Sequence, residues 1–124
     1  MKSDLPMRTF EFAKQIVRLC LDLDRTAGVP RTLANQLLRS GTSIGANVEE
    51  GQASQSAADF VSKYSIACKE ARETHYWLRL LSATDLLDAA RIKPHLDECN
   101  ELIAILTSII IKMRAKKERA KGEV

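Results

Sequence analysis

Apolar residues recur at steps of three and four along most of this chain, and no stretch alternates with the period of two that a half-buried strand would show. The pattern predicts four helices. Helix 1 is expected from about Pro6 to Ala27, with one apolar stripe through Phe10, Ala13, Val17 and Cys20 and a second through Phe12, Ile16, Leu19 and Leu23. Gly28 ends it, and Pro30 pre-sets the first turn of helix 2, which runs to about Gln52 with Leu33, Leu37, Gly41, Ile44 and Val48 on its core line. Ser54 or Ser56 is expected to cap helix 3, whose core line is Phe60, Tyr64, Ala67, Ala71, Thr74 and Leu78 and which ends near Ala83. "TDLLDAARIKP" reads as a connector with its own short helical turn. Helix 4 then runs from about Pro94 into a basic tail, with Leu96, Cys99, Ile103, Leu106, Ile110 and Met113 inward. Short connections between four amphipathic helices predict an all-α fold, an antiparallel up-down-up-down four-helix bundle spanning residues 1–124 as a single domain, its basic C-terminal tail covering about 112–124.

The segment "RSGTSIGANVEEG" looks locally like a loop, yet it continues the helix 2 pattern. At 100° per residue Gln36, Ser40, Ser43, Asn47 and Glu50 form a polar stripe beside the apolar one. Gly41 and Gly45 lie one turn apart near the core side, and since an interior glycine costs a helix ~1 kcal/mol relative to alanine, the pair points to close backbone approach. Helix 3 offers a matching surface, where Ile66, Glu70, Glu73 and Trp77 share one face. Carboxylates beside an indole are partly desolvated and need donors. The pattern predicts a structural polar seam of Arg39, Ser40, Ser43, Asn47, Glu50, Glu70, Glu73 and Trp77, with Ser43 and Asn47 hydrogen-bonded to Glu70 or Glu73 and Arg39 near one of these carboxylates.

Composition narrows the function. With 45% apolar, 28% charged and only 5% aromatic residues, the chain is of ordinary globular type with a core built from Leu, Ile and Ala. The longest apolar stretch, "LIAILTSIII", is short and polar-interrupted against the ~20 residues a membrane span needs, so no membrane association is expected. Cys20, Cys68 and Cys99 are odd in number, far apart and each in an apolar stripe, which predicts reduced core thiols and a cytoplasmic protein. "GTSIGAN" lacks both the Lys-Ser/Thr ending of a phosphate-binding loop and the three-glycine dinucleotide fingerprint, and no strand precedes it. Glu70 and Glu73 have the spacing of an acid/base pair, but carboxylates three apart on one helix are usually a hydrogen-bonding face. His75 and His95 lack a second ligand at metal spacing and read as surface or helix-end residues. Trp77 reads as a core or interface anchor. No catalytic residues, metal ligands or cofactor site emerge, and the chain reads as a non-enzyme.

The two segments "LANQLLRSGTSIGANVEEG" and "SAADFVSKYSIACKEARETHYWLRLL" resemble the four-helix-bundle family that includes the proteins encoded by intervening sequences in bacterial 23S rRNA genes. The likeness covers Phe10 to about Met113. Arg39, Ser40, Ser43, Ile44, Asn47 and Glu50 match the helix 2 signature, and Asp59, Phe60, Lys63, Ala67, Lys69, Glu70, Glu73, Trp77 and Leu78 match that of helix 3 in one branch. The resemblance implies a small cytosolic bundle that assembles as a ring-shaped homopentamer. It also implies kinship with accessory proteins of diversity-generating retroelements, which join a reverse transcriptase and bind nucleic acid.

Charge bears on the same choice. Lys112, Arg114, Lys116, Lys117, Arg119 and Lys121 face only Glu118 and Glu123, so the tail carries +4 of a formal net charge of +3 and the remainder is slightly acidic. Cations at a helix C-terminus also complement the helix dipole, so a solvated end is the simpler account. The sharper account is a polybasic rim for RNA or DNA, directed at the backbone because aromatic residues are absent from the tail. Two roles follow: a nucleic-acid-binding accessory protein, or a hub that binds a protein partner such as a reverse transcriptase. Both expect self-association, because helix 1 carries two apolar stripes and helix 4 adds Leu102, Ile105 and Ile109 beside its core line.

Overall fold

The computed structural model describes residues 4–122, in four helices with no strand among them: α1 (Leu5–Leu23), α2 (Val29–Gln52), α3 (Ala57–Ala83) and α4 (Ala89–Gly122). Neighbours in sequence are neighbours in space, and α4 returns to touch α1. Facing residues give the direction of each pair. Ile16 meets Gly41 and Thr9 meets Gly45; Ser40 meets Thr74 and Gly51 meets Tyr64; Cys68 meets Thr107 and Ala71 meets Cys99. Each pairing runs one index up and the other down, so the helices alternate in direction around a common core.

That core is aliphatic. Ile16, Leu19, Leu37, Ile44, Leu78, Leu81, Ile92, Leu102 and Leu106 are almost wholly withdrawn from water, with Tyr64 the largest fully buried side chain. The three cysteines are buried and unpaired by disulfides. Cys20 donates to the Ala34 carbonyl and Cys99 to that of Ala71, at 3.4 and 3.1 Å, and burial raises their thiol pKa to about 11 and about 12.

Helix ends show local chemistry that periodicity does not resolve. Gly28, with φ +90°, forms the entry to α2, a conformation that side-chain-bearing residues rarely adopt. Ser56 caps α3 by accepting from the Asp59 amide. At the other end of α3, Asp85 takes the left-handed conformation usually left to glycine, and the amides of Asp85 and Leu86 bond back to the carbonyls of Ser82 and Leu81.

The expected start of helix 4 is too late. Asp88 receives the amide of Ala90 on its side chain and those of Arg91 and Ile92 on its carbonyl, which launches α4 at Ala89 and absorbs half of the presumed connector. Pro94 lies inside this helix; the carbonyl it leaves without an amide belongs to Ala90, which is exposed and open to water. On α4 the inward line is Ile92, Cys99, Leu102, Leu106 and Ile110, so Leu102 belongs to the core and Ile103 is only half-buried.

Candidate functional site: the α2–α3 polar seam and the basic α4 flank

Gly41 and Gly45 face α1, not α3. A Cβ at Gly41 would lie 2.8 Å from Cγ2 of Ile16, and one at Gly45 would lie 3.2–3.3 Å from Thr9. Thr9 is buried and spends its hydroxyl on the carbonyls of Leu5 and Pro6. The third interior glycine of α2, Gly51, is the one that admits α3: a Cβ there would meet the Tyr64 ring at 2.6 Å. Close approach is therefore shared between two partners, with the α1 contact near the middle of α2 and the α3 contact at its end.

The side of α2 that faces α3 carries the polar residues. Arg39 donates to Glu70 at 2.9 Å and to Glu73, and the Trp77 indole N–H also donates to Glu73, at 3.0 Å. Hydrogen bonds from Trp77 and then Arg39 hold the Glu73 carboxyl below the usual carboxylate range, while the hydrogen bond to Glu73 and the charges of Glu70 and Glu73 raise Arg39. One turn inward, Thr74 donates to the Ser40 hydroxyl at 2.9 Å, and both are fully buried.

Ser43 and Asn47 do not bond to Glu70 or Glu73 as their stripe led us to expect. Ser43 donates to the Arg39 carbonyl at 2.6 Å and Asn47 to the Ser43 carbonyl at 2.8 Å, each turning back one turn on its own helix. A short side chain on a helix reaches its own i−4 carbonyl more readily than a neighbouring helix, and the long Arg39 already covers both carboxylates. Glu50 pairs with Lys63 at 3.3 Å, away from the seam proper. The hydroxyl pair of Ser40 and Thr74 was not anticipated, although a serine on the polar stripe and a threonine on a core line were its signals.

The carboxylates of the seam are committed to fixed donors. His75 and His95 are half-buried rather than superficial, and burial lowers the pKa of both. Among the described residues no group of three His, Cys, Asp or Glu could hold a metal, and no helix is long and apolar enough to cross a membrane.

The second polar feature is cationic. At 34 residues α4 is about 51 Å long, while α1 with 19 is about 29 Å; Arg8 near the start of α1 meets Glu98, so the last turns of α4 run beyond that start, and Arg114, Lys117 and Lys121 lie beside Ala58 and Val61 of α3. Lys112, Arg114, Lys116, Lys117, Arg119 and Lys121 are all exposed there, and none forms an ion pair with a described residue. Most cations of the bundle body contrast with this: Arg8, Lys14, Arg25, Arg31, Arg39, Lys63, Arg91 and Lys93 each contact a carboxylate, while Arg18, Lys69, Arg72 and Arg79 do not.

A four-helix bundle with a polar α2–α3 seam defines a class of protein by its architecture. Residues 2–108 match the family described as 23S rRNA-intervening sequence protein, and the chain belongs to that family. It is also similar to a solved protein of unknown function from the S23 ribosomal protein family of Bacteroides thetaiotaomicron. The two are 41% identical with a TM-score of 0.80, over 86% of this chain and 97% of that one. Comparison with curated proteins finds no match.

Proposed function

We propose that this protein is a non-enzymatic, cytoplasmic, self-associating accessory protein that binds RNA or DNA through the basic flank of α4. The observation that carries this reading is the uneven pairing of charge: eight of the twelve described cations before Lys112 contact a carboxylate, and none of the six from Lys112 to Lys121 does. Such an array attracts a polyanion by releasing counterions, with no need for base-specific contacts. The solved relative's assignment to a ribosomal protein family is in keeping with a nucleic-acid partner.

Replacing Arg114, Lys116, Lys117 and Arg119 together with glutamine is expected to remove most binding to a labelled oligonucleotide. Parent binding should weaken by roughly 10³-fold between 50 and 200 mM salt if about six phosphates are contacted. All four residues are exposed, so the melting temperature should stay within a degree or two of the parent. Gel shift or anisotropy measures the first effect and circular dichroism the second. Undiminished affinity in the variant would move the site off α4.

Self-association rests on a separate observation. Met7, Phe10, Val17 and Leu21 step along the outer face of α1, with Phe10 57% and Leu21 63% exposed, and Leu38 of α2 borders them. A stripe of this kind marks a protein–protein contact. It also supports the second reading, a hub for a protein partner such as a reverse transcriptase. The surplus lies mainly on α1, because Leu102 of α4 is in the core and Ile105 and Ile109 are half-buried. Light scattering is expected to give a mass several times that of one chain, a homopentamer by family resemblance; a concentration-independent monomer would overturn self-association.

A further inference from the structure

The basic residues of α4 do not act alone in this fold. A groove of about 340 Å³ between α3 and α4 is lined by Lys69 and Arg72 from α3 and by Arg114 from α4, with Ser65 and Thr107 contributing hydroxyls and Ile110 and Ile111 apolar walls. A second hollow further along the same pair of helices is lined by Arg114, Lys117 and Lys121 with Ala58 and Val61. Arg114 belongs to both, so the two form one track. From Thr107 to Lys121 it spans about 21 Å of helix.

Charge along the track is one-sided. Lys69, Arg72, Arg114, Lys117 and Lys121 line it against the single carboxylate Glu118, and none of the five forms an ion pair with a described residue. Five cations brought together from two helices repel one another, and the carboxylate contacts that eight cations elsewhere on the bundle make are missing here. An anionic ligand removes that repulsion.

We infer that the α3–α4 groove is a track for the sugar-phosphate backbone of a single nucleic-acid strand, in which Lys69 and Arg72 of α3 act together with Arg114, Lys117 and Lys121 of α4. The inference rests on the nucleic-acid reading above and extends it to two residues outside the tail. Packed helices have axes about 8–10 Å apart, so the groove between them takes the backbone of one strand at a time. Arginine presents a fork of donors suited to phosphate oxygens, and the track holds two. An acidic amphipathic helix fits less well, because helix-in-groove docking requires several apolar pockets at helical spacing. Only Ile111 offers a large exposed apolar surface here; Ile110 and Cys68 are buried.

The test uses the full chain and a labelled 20-nucleotide single-stranded RNA of mixed sequence, with anisotropy read from 50 to 200 mM salt. The double variant Lys69→Gln/Arg72→Gln is expected to bind about tenfold more weakly at low salt. The slope of log affinity against log salt should fall by about 1.4, the value for two lost single-strand phosphate contacts. A control that removes the same charge elsewhere, Arg18→Gln/Lys93→Gln, should stay within about threefold of the parent. Lys69, Arg72, Arg18 and Lys93 are exposed, and melting curves verify that both variants fold.

If the parent binds and the α3 variant matches the control, the groove is refuted while the α4 reading stands. If the parent does not bind at low salt, the nucleic-acid reading fails and takes the groove with it. Displacement of the RNA by polyglutamate at equal charge would reassign the groove to acidic peptides.

Discussion

Replacing Gly41 with leucine is expected to destabilise the protein by about 3 kcal/mol or more, a fall in melting temperature on the order of 10 °C. A Cβ at this position would already sit 2.8 Å from Cγ2 and 3.0 Å from Cγ1 of Ile16. Ile16 has no accessible surface, and a β-branched side chain on a helix is held to essentially one rotamer, so it has nowhere to go. The added atoms must push α1 away from α2. The intrinsic gain from removing a helical glycine, about 1 kcal/mol, does not offset that separation. Gly122 has open space around it, and Gly122→Ala should leave the melting temperature nearly unchanged. A Gly41→Leu protein that melts with the parent would show that the two helices do not meet as closely as described.

Arg39→Ala is expected to be the most damaging substitution in the polar seam, melting below Glu73→Ala. Arg39 is the shared donor to two carboxylates three residues apart, and its loss leaves Glu70, 9% exposed, without its cation beside the repelling charge of Glu73. Glu73→Ala removes one of those charges, and Arg39 keeps Glu70. Acid provides a second reading. Because the folded protein holds the Glu73 pKa below its ordinary value, the stability this group contributes is complete above the unfolded glutamate pKa and is lost as pH falls through the depressed folded value. The difference in melting temperature between parent and Glu73→Gln should be largest near neutrality and shrink towards strong acid. A difference that is flat in pH, or Arg39→Ala melting above Glu73→Ala, contradicts this account of the seam.

Much of this was legible in the sequence because helical periodicity is a local property. Leu37, Ile44 and Val48 on α2, and Tyr64, Ala67, Ala71, Thr74 and Leu78 on α3, read as core lines and are buried. The misreadings lie where competing interactions are nearly equal. Pro94 looked like a helix start because proline favours the first turn, yet three amides gathered by Asp88 made an earlier start the better one. Leu102 and Ile103 are adjacent apolar residues about 100° apart, and only the position of the neighbouring helices selects which one points inward.

The sequence by itself determined the four helices, most of their inward faces, the family to which they belong and the crowding of cations beyond Lys112. These follow from the period of the side chains and from simple counts, which any fold must respect. Tertiary structure alone decided that Gly41 and Gly45 receive α1 and that Arg39 serves both Glu70 and Glu73. It also brought Lys69 and Arg72 beside Arg114, more than forty residues away in the chain. A helical stripe specifies a direction around its own axis and not what stands opposite, and the partner is set by the packing of all four helices at once.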